Sequence, residues 1–202
     1  MDVKESRRRM RVPTSRCVKL CAVGLTLHAA TSRSPYEAVL GPAFASLHAH
    51  VRGAHLAPLR AEGTMDVEHG PGWLTRPMIW LMKLPAAGAG QSVRLEVAGD
   101  GPELVWTRRI GGSALQTRQR ANGSSIVERS GLGRISFDLA VQGGALLYQQ
   151  SSIHMAGVPL PSSLSPSVGA VVSATTEGWS VVVAVKWRGR LLCRYAGTLR
   201  AL

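Results

Sequence analysis

A strongly curved antiparallel β-meander or partly closed β-barrel, with two helices near its N-terminal side, is the α+β fold this chain predicts. Three observations carry that expectation. From Gln91 to Leu202, short β-type runs are punctuated at regular intervals by Gly99-Asp100-Gly101-Pro102, Ala121-Asn122-Gly123, Gly143-Gly144, Glu177-Gly178 and Arg188-Gly189-Arg190. Turn chemistry at such spacing joins hairpin strands. The runs between the turns alternate, with Val93, Leu95 and Val97 interleaved by Arg94 and Glu96, which is the period of a half-buried strand. So many antiparallel strands must curl or close to hide their edges. A helix-grip, lipid-transfer-like arrangement is the alternative; it ends in a long helix, whereas this chain ends in a strand.

The elements follow in order. Residues 1–34 read as a basic, disordered N-terminal extension, and residues 35–202 as a single β-rich domain. Ser34 suits a helix N-cap and Pro35 a first helical position. Tyr36, Val39, Leu40, Phe44, Leu47 and Val51 recur at helical spacing, with a break expected at Gly41-Pro42 and an end at Gly53. Leu59 to His69 reads as a strand through Gly63, and Gly70-Pro71-Gly72 turns the chain. Trp73 to Leu84 reads as a short apolar helix stopped by Pro85, with Ala86 to Gly90 a loop.

In the meander, Leu104, Trp106 and Arg108 share a strand face, and Ile135, Phe137, Leu139 and Val141 form the clearest inward face. On the next strand Leu147, Ile153 and Met155 are expected to face one way, and Leu146, Tyr148 and His154 the other. Val168 to Thr175, Trp179 to Trp187 and Leu191 to Leu202 are the last strands.

Composition sets the function classes. The net charge is +12, of which +6 lies in residues 1–34 and +6 in the remaining 168 residues. The body is therefore only moderately basic, and nucleic-acid binding is not the expected function. Cys17, Cys21 and Cys193 make no disulfide framework and no zinc pattern. A reducing, cytoplasmic location is the expectation. Export is the alternative, because Arg7-Arg8-Arg9 precedes an apolar stretch from Cys17 to Leu27 that is too short to span a bilayer.

Tyr36 through Phe44, Gly63 with His69-Gly70, Leu84-Pro85, Trp106-Thr107-Arg108-Arg109, Gly111-Gly112, Val127-Glu128-Arg129, and Gly157-Val158-Pro159-Leu160-Pro161 with Leu164 and Pro166 come in an order and spacing that resembles one family. It is the bacterial domain of unknown function numbered 4166, and the resemblance covers about residues 35–202. It implies no established activity. Such domains occur alone or appended to proteins of the saccharopine dehydrogenase or short-chain dehydrogenase type. That implies an alternative role as an accessory module for an oxidoreductase partner.

No catalytic motif stands out. His48, His50 and His55 are the nearest approach to a metal cluster, but His50 points away from the other two on a helix and no acid or Cys adjoins them, so no metal or other cofactor is expected. Gly131-Leu132-Gly133 with Ser130 makes no nucleophile elbow, and no glycine-rich nucleotide cradle follows a strand. Glu68, His69 and Glu128 are the acid–base candidates if there is an enzyme.

The most suggestive group is basic and aromatic. Trp106, Arg108, Arg118, Arg129 and Tyr148 would form an anionic head-group site at the mouth of a curved sheet, binding a small amphipathic or acidic ligand without catalysis. The competing reading is an exposed, salt-bridged sheet face. Trp73, Trp80 and Met82, with Met78, make the short helix a plug on the concave side or a lid over an apolar cavity.

Overall fold

Ser34, Pro35 and Glu37 decide where the ordered path begins. In the computed structural model, which describes residues 33–73 and 75–202, Ser34 Oγ accepts from the Tyr36 N–H. The Glu37 carboxylate accepts from the Ser34 N–H at 3.1 Å, a capping box with Pro35 in the first turn. Helix α1 spans Pro35–Leu40. It stops at Gly41, whose φ of 53° an L side chain resists, and a 3₁₀ turn over Gly41–Ser46 leads to α2, Ala49–Gly53. The expected break and end of the first helical segment are both present. The extension 1–34 and its apolar stretch lie outside the described residues, apart from Arg33 and Ser34.

Eleven strands follow, with one more helix. They are β1 (Leu59–His69), α3 (Thr75–Met82), β2 (Gly88–Ala98), β3 (Glu103–Ile110), β4 (Ser113–Asn122), β5 (Ser125–Ser130), β6 (Gly133–Gln142), β7 (Ala145–Met155), β8 (Val158–Pro159), β9 (Ser167–Ala174), β10 (Trp179–Trp187) and β11 (Arg190–Ala201). Ten of them close into an antiparallel barrel. Each pairs with its sequence neighbour, β7 pairs with β9, and β1 pairs with β11 to shut the ring. The two-residue β8 pairs with the end of β7 outside this cycle. The meander thus closes completely.

Two local differences from the expected pattern have physical causes. A bulge shifts the register so that Ser136 faces Ser152 while Phe137 faces Gln150. Ser151 is the extra residue, and it reverses the alternation along β7. Leu146 and Tyr148 therefore face the core together with Ile153, whereas Leu147 faces out. The other difference is in β2, which starts at Gly88 and so absorbs part of the expected loop.

Strand direction alternates around the ring, so the nine connections between its ten strands divide four to one end and five to the other. At one end are the turns 99–102, 123–124, 143–144 and 175–178, together with α1 and α2. The His48 N–H donates to the Gly144 carbonyl there at 3.0 Å. Tyr36, Phe44, Leu47 and Val51 from this segment are buried in the same core as Val97, Leu104, Ile126, Leu146, Val172 and Trp179, so this end of the barrel is stoppered. At the other end lie the connection 70–87 with α3, the turns 111–112 and 131–132, the segment 156–166 and the turn 188–189. No helix among the described residues is long and apolar enough to cross a membrane.

Candidate functional site

The interior of the barrel is polar in its middle. The two-residue turn Gly111-Gly112 sets Ile110 opposite Ser113, and from there Arg108 falls opposite Leu115, Trp106 opposite Thr117 and Leu104 opposite Gln119. The next hairpin sets Gln119 opposite Glu128 and Arg118 opposite Arg129. Trp106, Arg108, Thr117, Gln119 and Glu128 therefore point inward, where Tyr148 and Tyr36 meet them.

These groups form one connected network. Arg108 Nη1 donates to Glu128 Oε1 at 3.2 Å and to Thr117 Oγ1 at 3.0 Å. Gln119 Nε2 donates to Glu128 Oε2 at 2.8 Å, and the Tyr36 hydroxyl donates to Gln119 Oε1. Nδ1 of His55 lies 2.7 Å from the Val51 carbonyl, which can only accept, so Nδ1 carries the proton and Nε2 is left to accept. Tyr148 then has one hydroxyl proton for two acceptors, His55 Nε2 at 2.7 Å and Tyr36 Oη at 3.0 Å.

Burial sets the charges. It lowers the pKa of His55 to about 4, against the Val51 bond that favours the charged ring, and the Arg108 charge adds to the lowering. The ring is neutral at neutral pH. Burial likewise raises the hydroxyl pKa values of Tyr36 and Tyr148, and pushes Tyr195 up to about 12. Burial alone would lower that of Arg108, but the Glu128 carboxylate, with the surrounding tyrosines, more than offsets it and keeps the guanidinium charged. The guanidinium also lies over the Trp106 ring, 5.0 Å from its centre.

Accessibility varies within the barrel interior. Trp106, Gln119, Ile126 and Leu146 are sealed. Just beyond them, the side chains of Arg108 and Glu128 keep 22% and 19% of their exposure. Toward the end opposite the stopper, the inward Leu115, Ile135, Gln150, Val168 and Tyr195 are half-buried, whereas Ile110, Ile153 and Val185 are buried. In a closed barrel an inward side chain is wetted only through the lumen. Donors are left over in this region: Nε and Nη2 of Arg108 have no acceptor among the described residues, and the indole N–H of Trp106 is buried without one.

The expected head-group site assembles only in part. Trp106, Arg108 and Tyr148 converge in the lumen. Arg118 and Arg129 do not, because they face each other on the outer wall, where Arg118 pairs with Glu103 at 2.9 Å. The reading of α3 as a plug also needs correction. Met78, Met82 and Leu84 pack on the core, but Trp73 and Trp80 project into solvent.

Of the three histidines considered for a metal cluster, His55 is buried in the network, whereas His48 and His50 stack on each other at the surface. The acid–base candidates stay apart. Glu68 pairs with Arg194 on the outside at 3.7 Å, His69 Nε2 donates to the Pro85 carbonyl at 2.8 Å, and Glu128 is held by Arg108 and Gln119. Among the described residues no three His, Cys, Asp or Glu side chains gather into a metal cluster. Cys193 is free and buried, and burial raises its thiol pKa to about 11, out of the nucleophilic range.

Sequence reasoning missed Tyr36, His55, Thr117 and Gln119 as members of the site. The signal was available in the glycine turns: counting back from Gly111-Gly112 and Gly123-Ser124 pairs Trp106 with Thr117 and Gln119 with Glu128, and puts Arg118 and Arg129 outside.

Comparison with known proteins adds three findings. A family model described as Domain of unknown function (DUF4166) matches residues 40–199. No curated protein matches. Among solved structures, apo Caenorhabditis elegans lipid binding protein 8 (LBP-8) is similar at 13% identity, with a TM-score of 0.40, over 69% of this chain and 92% of that one. A likeness that weak carries no argument about function.

Proposed function

From the premise that the chain belongs to the DUF4166 family, whose description assigns no activity, we propose that it is a non-catalytic binder of a small amphipathic ligand. The ligand enters the open end of the barrel head-first. Its polar head meets the unused N–H groups of Arg108 and the indole N–H of Trp106. Its apolar part lies along Leu115, Ile135 and Val168 toward the opening.

One observation carries the reading: inside the barrel Arg108 and Glu128 keep part of their exposure, and Arg108 holds spare donors there. Buried donors without acceptors are costly, and a ligand oxygen would satisfy them. Because Glu128 already balances Arg108, the head group needs an acceptor oxygen but no net charge. Carboxylates and neutral carbonyl compounds both meet that requirement.

Native mass spectrometry of the full chain, offered fatty acids and fatty amides of medium length, tests the proposal. The expected result is one ligand per chain, with affinity reduced at least tenfold by Arg108→Met and unchanged by Arg118→Ala. Absence of any bound amphiphile, or equal loss in both variants, overturns it.

A further inference from the structure

Beyond ligand binding, and independent of it, the structure assigns the open end of the barrel as a docking surface for an anionic lipid bilayer. Six of the ten large apolar side chains exposed among the described residues lie at this end: Trp73, Trp80, Leu132, Met155, Val158 and Leu164. Trp73 and Trp80 are 83% and 81% exposed. The four turns at the opposite end hold only glycine, serine, threonine, proline and two acids, Asp100 and Glu177.

Charge follows the same axis. Segments 70–90, 109–113, 129–134, 154–168 and 186–191 contain no Asp or Glu. They carry Arg76, Lys83, Arg109, Arg129, Arg134, Lys186, Arg188 and Arg190, of which all but Arg134 are exposed. None of the eight pairs with a carboxylate among the described residues.

The tips are tied to one another. The Ala156 N–H donates to the Leu132 carbonyl at 2.9 Å and Arg188 Nε donates to the Ser163 carbonyl at 3.3 Å, so Leu132 and the 156–166 segment are presented together with Arg188. A rim of indoles and aliphatic tips set among unpaired cations matches the interface of a bilayer with anionic head groups, where Trp prefers the head-group level and each Lys or Arg gains from the surface potential. A nucleic acid would use the cations and the indoles, but not Leu132, Val158 and Leu164.

Sedimentation of the full chain with vesicles tests this. One set is phosphatidylcholine alone and the other phosphatidylcholine with phosphatidylserine. Binding is expected to the anionic vesicles only, to weaken with added salt, and to shift Trp emission to the blue.

The double variant Trp73→Ser, Trp80→Ser keeps the charge of the chain, including that of residues 1–32, and removes two solvent-exposed rings. It is expected to bind at least about tenfold more weakly. The charge-reversing pair Arg188→Glu, Arg190→Glu is expected to match it, and Arg60→Glu, Arg120→Glu at the other end to have a smaller effect. Equal binding to both vesicle types, a tryptophan variant that binds like the parent, or equal loss from charge reversal at either end overturns the assignment. So does failure to bind vesicles in a chain that binds an acidic protein or a nucleic acid. A chain that docks on vesicles but takes up no amphiphile would refute the ligand reading alone.

Discussion

Arg108 and Arg118 belong to the paired strands β3 and β4 but stand on opposite sides of the barrel wall. Arg108 faces in, with Glu128 3.2 Å away, and Arg118 faces out, with Glu103 2.9 Å away. The geometry of the two ion pairs is similar and their environments are not, so the two arginines should respond very differently to truncation.

Arg108→Ala leaves the Glu128 carboxylate inside the barrel with Gln119 as its remaining donor. Breaking a largely buried pair in this way typically costs about 3–5 kcal/mol. The residual wetting of the site (22% and 19% side-chain exposure) puts the expectation at about 2–4 kcal/mol. Arg118→Ala and Arg129→Ala should change stability by no more than about 0.5 kcal/mol. Urea denaturation of the three variants checks the contrast.

The same pair of residues shows what was legible in advance. Nearly every strand was, because Gly-containing turns cut the chain into runs of matching length. The site was only half legible. Trp106 and Arg108 were visible as one face, but assigning Arg118 and Arg129 by proximity alone ignores side-chain parity, and parity is set by the two-residue turns. Tyr36 and His55 were hidden for another reason: they come from the helical segment before the barrel, and no local pattern shows that it fills the lumen. For α3, an apolar sequence all round suggests burial, yet the geometry leaves Trp73 and Trp80 outside.

Tyr36→Phe removes the hydroxyl that donates to Gln119 and lies 3.0 Å from Tyr148. Ring packing is kept, but Gln119 Oε1 loses its donor in a buried position. The expected loss is about 1–3 kcal/mol, the cost of an unsatisfied buried polar atom. Tyr148 then has His55 Nε2 as its single acceptor, so its proton is no longer contested. A urea midpoint that falls with no change in slope is the expected result.

The seam that shuts the barrel depends on two glycines. A Cβ on Gly63 would run into the Thr198 carbonyl, and one on Gly197 into that of Thr64. Both obstacles are backbone, which cannot swing aside without breaking the β1–β11 ladder. Gly63→Ala and Gly197→Ala should each cost about 1–3 kcal/mol, as overpacking does. Gly112→Ala, at a turn with nothing within 4 Å of the new carbon, should be close to neutral. Thermal unfolding of the three variants measures this directly, and a neutral Gly63→Ala would mean the seam is looser than its register implies.

His55 should make the fold sensitive to acid. Its folded pKa is about 4, against about 6.5 in an unfolded chain, so between these values the unfolded state binds a proton that the folded state refuses. Stability attributable to this group is full above about pH 6.5, falls as the pH drops through that value, and stops falling below about pH 4. The total is on the order of 3 kcal/mol. His55→Gln cannot take up that proton in either state. It should be less stable than the parent at pH 7, because Tyr148 and Val51 lose an ideal partner, yet lose less further stability on acidification. Urea unfolding of both proteins at pH 7 and pH 4 isolates the difference from the surface carboxylates, which the two chains share. Parallel losses in the two chains would show that His55 takes up its proton in the folded barrel after all.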